Sequence, residues 1–459
     1  MSQREFDVIV IGAGPAGEVV AGRLGEGGLE VAIVEAHLIG GECSFYACMP
    51  SKALLRPAEA VDEARRIPGA AEAITGALDV PAVLRRRDEV IHDLDDSGQL
   101  PWLEDRGIAL YRGWGRLDGE RRVVVGEQTI EVRRAIILAG GTAPLLPPID
   151  GLAEAKPWTN RDATTAHAIP ASLVVVGGGV VGVEMSQAYC SLGARVTLIE
   201  GKRRLLPREE QFACEQVTDS LAEQGVDIRT GQKATSVRRD EDGGPVSVTL
   251  ADGSTVTGDE LLVALGREPN TDGLGLETVG LESGGYVEVD QHTRVPALDW
   301  LYVIGDLNGR SPYTHMAKYQ AAIATAHVLG KDMALDPAID GPGAPRVIFT
   351  DPQVTSVGHS SASAKEAGIS LRVVDLGTSA NAGGSFYGRN ARGTSRFLID
   401  EDRGVIVGAT ITGSEVADFL QAATIAIVGE VPLSRLRHAV PSFPTRSEIW
   451  LYLFNELGL

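Results

Sequence analysis

The chain has few cysteines, a deficit of positive charge and no long apolar run, and each of these excludes a class of protein. Only four of its 459 residues are cysteines, which predicts a cytoplasmic protein. Its 42 basic against 62 acidic residues give a net charge of -20, which argues against a nucleic-acid or membrane partner. No run approaches the roughly 18 apolar residues of a membrane span. Polar Met1 to Asp7 is expected to be neither a signal peptide nor an anchor.

A glycine-rich loop follows the first apolar segment. Residues 6–11 predict a parallel strand buried on both faces. The next loop carries Gly12, Gly14 and Gly17, a spacing that allows a tight turn, close approach of the backbone to a pyrophosphate and close packing of the following helix. The second predicted strand ends at Glu35, where a carboxylate can bind both ribose hydroxyls. This segment therefore predicts a dinucleotide site.

The same pattern returns later in the chain. Residues 173–176 predict a strand, and the loop after it carries Gly177, Gly179 and Gly182. The following strand ends at Glu200, whose carboxylate can bind a free 2′-hydroxyl and would repel a 2′-phosphate. Two such units predict two dinucleotides with electron transfer between them, the alternative being that one loop is a relic. NADH is favoured over NADPH at the second site.

Two cysteines lie between these units, directly after the first. Cys43 and Cys48 follow Gly40 and Gly41 and precede Lys52. An ideal helix would point the two sulfurs to different faces, whereas a distorted first turn could bring them within bonding range. A structural disulfide is disfavoured in the cytosol, and a zinc site lacks the further ligands it needs. A cytosolic disulfide is more often catalytic, and the position of the pair directly after a dinucleotide-binding unit favours a redox role.

The other segments predict the supporting framework. We expect residues 58–107 to be mostly helical, with Arg85–Arg87 forming a solvated face. Residues 108–132 predict a small antiparallel excursion, and the prolines at 144–148 indicate a crossover to a new domain. Residues 346–459 predict a separate α+β domain without a glycine fingerprint.

Taken together, these motifs resemble those of the pyridine nucleotide-disulfide oxidoreductases, which include dihydrolipoyl dehydrogenase, glutathione reductase and mercuric reductase. The resemblance covers essentially the whole chain. The residues that carry it, besides the two glycine loops, are Gly40, Gly41, Cys43, Cys48, Pro50, Ser51, Lys52, Gly266, Arg267, Pro269, Asn270, Gly305 and Asp306.

The resemblance implies an α/β fold: two Rossmann-like dinucleotide-binding domains, for FAD and NAD(P), plus a C-terminal α+β dimerisation domain. It also implies a homodimer. The expected segments are the FAD-binding domain, first part at 1–150 and second part at 271–338, the NAD-binding domain at 151–270 and the dimerisation domain at 339–459.

The resemblance also assigns site residues. It implies an FAD site at Gly12, Gly14, Gly17, Glu35 and Asp306, and a nicotinamide nucleotide site at Gly177, Gly179, Gly182 and Glu200. Further cofactor-binding residues are Gly41, Gly141, Gly266, Arg267 and Gly305. Hydride would pass from NADH to flavin and then to the disulfide, with Cys48 facing the flavin and Cys43 exchanging with substrate. Lys52 would pair with Glu184 near the flavin.

One departure from the family pattern concerns the acid–base residue. Dithiol-handling members carry a His-Pro-Thr-x-x-Glu segment, and here Phe443 replaces the histidine while Glu448 is kept. His438 could substitute, although an ordinary surface histidine is the favoured interpretation. We therefore expect a small-molecule or metal-ion electron acceptor that needs little acid–base help. The alternatives are a dihydrolipoyl dehydrogenase with an altered proton relay, a 2-ketopropyl coenzyme M-type enzyme and a non-catalytic flavoprotein sensor or scaffold.

Overall fold

The computed structural model describes residues 4–241, 243–388 and 391–459 and divides them into two compact units. The first unit consists of residues 4–50, 87–145 and 267–336. The second unit consists of residues 51–86, 146–266 and 337–459. The predicted segment boundaries at 150, 270 and 338 stay a prediction.

The helices alternate with strands along most of the chain. In chain order the α-helices are α1 Pro15–Glu26, α2 Gly41–Phe45, α3 Cys48–Arg66, α4 Val80–Val90, α5 Leu100–Glu104, α6 Asn160–Thr165, α7 Val180–Ser191, α8 Gln211–Glu223, α9 Thr314–Val328, α10 Ser361–Glu366, α11 Leu420–Val428, α12 Leu433–Leu436 and α13 Ile449–Leu457.

The strands in chain order are β1 Arg4–Ile11, β2 Val31–Glu35, β3 Ala109–Arg112, β4 Gly115–Leu117, β5 Arg122–Val125, β6 Gln128–Leu138, β7 Thr142–Pro144, β8 Ser172–Val176, β9 Arg195–Glu200, β10 Asp227–Thr230, β11 Ala234–Arg239, β12 Val246–Leu250, β13 Thr255–Gly258, β14 Glu260–Val263, β15 Arg267–Pro269, β16 Leu301–Val303, β17 Arg346–Ile348, β18 Gln353–Gly358, β19 Leu371–Gly377, β20 Thr394–Asp400 and β21 Val405–Gly413.

A parallel sheet in the order β3-β2-β1-β6-β16 forms the centre of the first unit. Strand β1 lies in its middle, with Val10 opposite Ile33 on one side and Ile137 on the other. Separate apolar clusters cover its two faces, which explains why its second half is continuously apolar. This position places the loop after β1 at the carboxyl edge of the sheet.

The predicted antiparallel excursion over 108–132 is only partly right. Strands β4 and β5 are antiparallel to each other, and β5 is antiparallel to β6. Strand β3, in contrast, lies parallel to β2, with Leu110 opposite Ile33. Tyr111 of β3 is buried in the central sheet, with Ala109 and Leu110 partly buried. A local strand pattern does not reveal which strand will be its partner.

The second unit contains a smaller parallel sheet and two antiparallel ones. The parallel strands run in the order β10-β9-β8-β14, with Val175 opposite Leu198 and Leu262. A sheet in the order β11-β12-β13 and a sheet in the order β17-β18-β21-β20-β19 are antiparallel throughout. The last of these confirms the predicted α+β character of residues 346–459. Throughout the described residues, no helix has the length and apolar character to cross a bilayer.

The prediction of a solvated face at Arg85–Arg87 is wrong for its last residue. Arg85 and Arg86 are exposed, but Arg87 is fully buried, and its Nε donates to Asp88 Oδ1 at 2.7 Å. Two residues along a helix correspond to a rotation of about 200°, so Arg85 and Arg87 must face different directions. Consecutive charged residues in a helix therefore do not all lie on one solvent-exposed face.

Candidate functional site

The first glycine loop forms a concave turn between β1 and α1. Gly12 has φ +103°, and a Cβ there would lie 2.4 Å from Ala139 O. A Cβ at Gly17 would lie 1.9 Å from Gly12 O, so the helix can pack against the loop only with glycine there. Around Gly14, by contrast, such a Cβ would meet no heavy atom of the described residues within 4 Å beyond its immediate chain neighbours. The open space before the N-terminus of α1 fits a pyrophosphate.

The carboxylate of Glu35 is fixed beside this loop by two backbone N–H groups. Its Oε2 accepts from Ala13 N at 2.7 Å and its Oε1 accepts from His37 N at 2.7 Å. The end of β2 is thereby tied to the glycine loop. A ribose bound next to the pyrophosphate would meet this carboxylate, which fits a dinucleotide.

Thr142 joins two of the sequence-predicted site residues in the first unit. Its hydroxyl donates to Asp306 Oδ2 at 2.8 Å, and Arg267 Nε donates to the same hydroxyl oxygen at 2.7 Å. Arg267 also donates to Thr142 O at 2.6 Å. Thr142 directly follows Gly141, and this bridging role had no distinct sequence signal. The structure thus brings Asp306 and Arg267 together through a third residue.

Gly41 is a site of close approach, whereas Gly305 is required by its backbone conformation. A Cβ at Gly41 would lie 2.7 Å from the Cα of Gly14, so the start of α2 is pressed against the start of α1. Gly305 has φ +72° and would place a Cβ 3.5 Å from Ala317 and 3.7 Å from Ala16. These contacts bring α1, α2 and α9 together near the first glycine loop.

The two cysteines are carried by separate helices. Cys43 lies in α2, which ends at Phe45, and Cys48 is the first residue of α3. The chain leaves the helical path at Tyr46 and Ala47, so the two cysteines do not lie in one distorted helical turn. The pKa of Cys43 is raised by its hydrogen bond to Cys48, by burial and by the charge of Cys48. Both cysteines are thiols in the structure rather than a disulfide, so their pairing in a redox disulfide stays a prediction.

Thr314 and Glu18 add polar groups that the sequence did not reveal. Thr314 Oγ1, at the start of α9, lies 3.4 Å from Cys48 Sγ, and its hydrogen bonding also lowers the pKa of Cys43 in part. Burial raises the pKa of Glu18, in the first turn of α1, to about 7. The positive charge of Lys318 opposes both upward shifts. Thr314 and Lys318 thus act on the thiols from a distant part of the sequence.

The second glycine loop repeats the geometry of the first within the second unit. Gly177 has φ +115°, and a Cβ at Gly182 would lie 1.7 Å from Gly177 O. A Cβ at Gly179 would have no heavy atom of the described residues within 4 Å. Glu200 Oε2 accepts from Gly178 N at 2.6 Å, and its Oε1 accepts from the backbone N–H two residues on at 2.7 Å. This arrangement also fits a dinucleotide. Gly266, with φ +131°, lies later in the same unit.

Lys52 and Glu184 form an ion pair in the second unit. Lys52 Nζ lies 2.8 Å from Glu184 Oε2 and 3.3 Å from Ser51 Oγ. Glu184 lies on α7, is almost fully buried and accepts from Phe349 N at 2.9 Å through Oε1. The predicted pair is therefore formed, and both carboxylate oxygens of Glu184 are hydrogen-bonded.

The C-terminal segment places Phe443 and Glu448 in very different surroundings. Phe443 is 77% exposed, whereas Glu448 is only 8% exposed. Glu448 Oε2 has no hydrogen-bond partner among the residues that the structure describes. His438 is exposed, which is consistent with a surface histidine.

Comparisons with known proteins identify the family of the chain. Residues 6–326 match the family described as pyridine nucleotide-disulphide oxidoreductase, and residues 344–453 match its dimerisation domain, which supports a homodimer. The chain is 32% identical to dihydrolipoyl dehydrogenase of Haloferax volcanii, covering 96% of this chain and 94% of that protein. It is 32% identical to mercuric reductase of Streptomyces lividans with the same coverage of 96% and 94%.

Solved structures have the same fold. LpdA from Mycobacterium tuberculosis matches with a TM-score of 0.86 and 26% identity over 99% of both chains. The flavoprotein disulfide reductase RclA from Escherichia coli matches in fold, with a TM-score of 0.85 at 24% identity over 98% of this chain and 99% of that one. These matches confirm the predicted fold class. The chain therefore belongs to the pyridine nucleotide-disulfide oxidoreductase family and is an NAD(P)H-dependent flavoprotein disulfide oxidoreductase that uses FAD.

Proposed function

We propose that this enzyme oxidises NADH and passes the electrons through Cys43 and Cys48 to an acceptor that needs little acid–base help. The acceptor class is a metal ion, a quinone or an activated disulfide. The observation that carries the proposal is Phe443, which takes the place of the histidine that serves as the base in dithiol-handling relatives. Its ring can neither donate nor accept a proton, and Glu448 is left with an unpartnered carboxylate oxygen.

The cofactor assignment rests on the two glycine loops. Bound FAD would supply the hydride acceptor and the electron carrier between NADH and the disulfide. The open backbone at Gly14 and the oriented carboxylate of Glu35 support binding of its pyrophosphate and ribose. Asp306 lies in the same unit, where the Thr142 hydroxyl orients it through one carboxylate oxygen.

The nucleotide preference follows from Glu200. Two backbone N–H groups fix this carboxylate beside the second glycine loop. A free 2′-hydroxyl can donate to it, whereas a 2′-phosphate would be repelled by like charge. NADH is therefore the proposed reductant, with NADPH disfavoured.

The two sulfurs are assigned different roles. Cys48 is the first residue of α3, where the helix dipole favours negative charge, and the Thr314 hydroxyl lies 3.4 Å from its sulfur. It is the proposed thiolate. The resemblance assigns exchange with the acceptor to Cys43, and the raised pKa of this thiol leaves less of it as the reactive thiolate. A protonated thiol without a base is a poor nucleophile, which disfavours exchange with an unactivated disulfide.

Lys52 and Glu184 are assigned an electrostatic role. In this family the lysine would lie near the flavin, where a positive charge favours the reduced, anionic ring. Glu184 holds the ammonium through the 2.8 Å contact. The pair thus makes reduction by NADH more favourable without taking part in proton transfer to the acceptor.

Acceptors of the proposed class do not need the proton transfer that a positioned base would carry out. A metal ion can be bound by two thiolates and reduced without a positioned base. A quinone takes electrons and recovers its protons from solvent. An activated disulfide has a leaving thiolate of low pKa, which departs without protonation.

A dihydrolipoyl dehydrogenase activity with a different proton relay is the second candidate. The specific observation in its favour is the retained, buried Glu448, together with the 32% identity to the Haloferax volcanii dihydrolipoyl dehydrogenase. His438 would then be the first residue to replace. A sensor or scaffold without turnover is distinguished by the same assay, because it would oxidise NADH with none of the acceptors.

The test is steady-state NADH oxidation with Hg(II), a benzoquinone, an aromatic disulfide, lipoamide and glutathione disulfide. We expect turnover with at least one of the first three and slow turnover with the last two. Phe443→His should raise lipoamide turnover by up to about 10²- to 10⁴-fold and leave flavin reduction by NADH unchanged. The matched control is Phe386→His, because Phe386 is also exposed in the second unit. Rapid wild-type turnover with lipoamide or glutathione disulfide would refute the proposal.

A further inference from the structure

One aromatic residue contacts both members of the ion pair between Lys52 and Glu184. The Lys52 ammonium lies 4.8 Å from the centroid of the Phe349 ring, and the Phe349 N–H donates to Glu184 Oε1 at 2.9 Å. Lys52 Nζ in turn lies 2.8 Å from Glu184 Oε2. Phe349 therefore holds the carboxylate through its backbone and presents a ring face to the ammonium.

The position of this ring is fixed by the segment that carries it. Phe349 follows directly after β17, and two residues later Asp351 N donates to Gln187 Oε1 at 2.9 Å. Glu184 and Gln187 are three residues apart on α7, so they lie on the same face of that helix. Both are buried. The segment is thus attached to α7 at two successive acceptors, and the ring has little freedom to move away.

The ammonium needs this support because its other contacts are incomplete. Lys52 has three N–H donors, one to Glu184 at 2.8 Å and one at a longer distance of 3.3 Å to Ser51. Its side chain is 34% exposed, against 4% for Glu184. A lysine side chain has many rotamers, and water competes for a partly exposed ammonium. The ring face supplies a third attractive contact that water does not replace equally.

We propose that Phe349 is a positioning residue that holds the Lys52 ammonium against Glu184 through its ring face. The inference rests on the proposed function for one point only, the role of Lys52 beside the flavin. Nothing in the resemblance assigns a role to Phe349. Its ring acts through Lys52, and its backbone contact to Glu184 is independent of the side chain.

The test compares Phe349→Leu with Phe349→Tyr in the holoenzyme. Leucine keeps the backbone N–H but removes the ring face, whereas tyrosine keeps both. We expect acetic anhydride to acetylate Lys52 about twofold to fivefold faster in Phe349→Leu, as mapped by mass spectrometry, with wild-type reactivity in Phe349→Tyr. The equilibrium constant for reduction of the bound flavin by NADH should fall by about the same factor.

The matched control is Phe212→Leu. Phe212 is also a partly buried ring against the same apolar cluster, and it lies 5.0 Å below the Arg396 guanidinium. Its loss should leave Lys52 acetylation unchanged. If Phe349→Leu does not fold, as judged by circular dichroism, Phe349→Met provides an unbranched replacement without a ring face.

The outcomes separate this inference from the proposed function. Unchanged Lys52 acetylation in the folded ring-less variant overturns the inference, and so does an equal increase in Phe212→Leu. Faster acetylation with an unchanged flavin equilibrium supports the positioning role but refutes the proposed effect of Lys52 on the flavin. A wild-type flavin that NADH cannot reduce would refute the proposed function while leaving the acetylation result valid.

Discussion

The ion pair between Lys52 and Glu184 gives the most direct test of how the site is stabilised. The change is Lys52→Met, which leaves the carboxylate of Glu184 buried without its cation. For a fully buried pair such a loss costs about 3–5 kcal/mol. The Lys52 side chain is 34% exposed, so water already screens part of the attraction. We therefore expect a loss of about 2 kcal/mol in the free energy of unfolding.

The second arm of the test neutralises the other partner. Glu184→Gln keeps an oxygen that can accept from Phe349 N–H and removes the negative charge. It should cost about 1 kcal/mol, because Lys52 can turn toward solvent. The double variant contains neither charge and leaves no buried ion unpaired. The double variant should lose less unfolding free energy than the sum of the two single losses, and the difference should be about 1 kcal/mol or more.

Urea unfolding of all four proteins, followed by circular dichroism and by flavin fluorescence, measures these differences. The control pair is Arg238 and Asp240, which are also in hydrogen-bond contact but are 80% and 70% exposed. The changes in unfolding free energy caused by Arg238→Met and by Asp240→Asn should add in the double variant. If the losses in unfolding free energy at Lys52 and Glu184 also add to within about 0.3–0.5 kcal/mol, the buried carboxylate does not depend on its cation and the reasoning is contradicted.

Three further predictions use other parts of the site. Cys48→Ser should abolish the long-wavelength charge-transfer band of the reduced enzyme and Cys43→Ser should preserve it; equal behaviour would reverse or remove our division of roles. Glu200→Gln should narrow the preference for NADH over NADPH by about tenfold in initial rates, and equal wild-type use of both would contradict the argument. Burial raises the pKa of Glu18 to about 7 in the folded chain, against about 4.5 in the unfolded chain, so stability is lost as the pH rises between these values. The free energy of unfolding of Glu18→Gln should therefore exceed that of the wild type by up to about 3 kcal/mol near pH 8 and equal it near pH 4. Parallel curves of unfolding free energy against pH for the two proteins would refute this.

The parts of the fold that the sequence predicted well are governed by local physics. Strand β1 is apolar because both of its faces are covered, and the loop after it needs glycine where a Cβ would strike Ala139 or Gly12. Such constraints leave a fixed spacing in the sequence. The acid at the end of the next strand follows from the same unit, so the loop and Glu35 could be predicted together.

The missed features depend on contacts between distant segments. Thr314 lies 266 residues from Cys48 in the chain and meets it only because α9 is folded against the first glycine loop. Strand β3 was assigned to the wrong pairing because a short strand does not encode its neighbour. The buried Arg87 shows the same limit, since its charge suggested solvent and only the packing around its helix decides burial.

The two fixed carboxylates have a consequence for how the nucleotides bind. Glu35 and Glu200 are each tied to the N–H of a glycine-loop residue and to the N–H two residues after the acid. Each side chain has therefore lost its rotamer freedom before a nucleotide arrives, and binding bears no further entropy cost for ordering it. Loss of the loop contact would leave the acid in place but mobile. A substitution that shifts either loop should then weaken ribose recognition even when every residue that touches the ribose is unchanged.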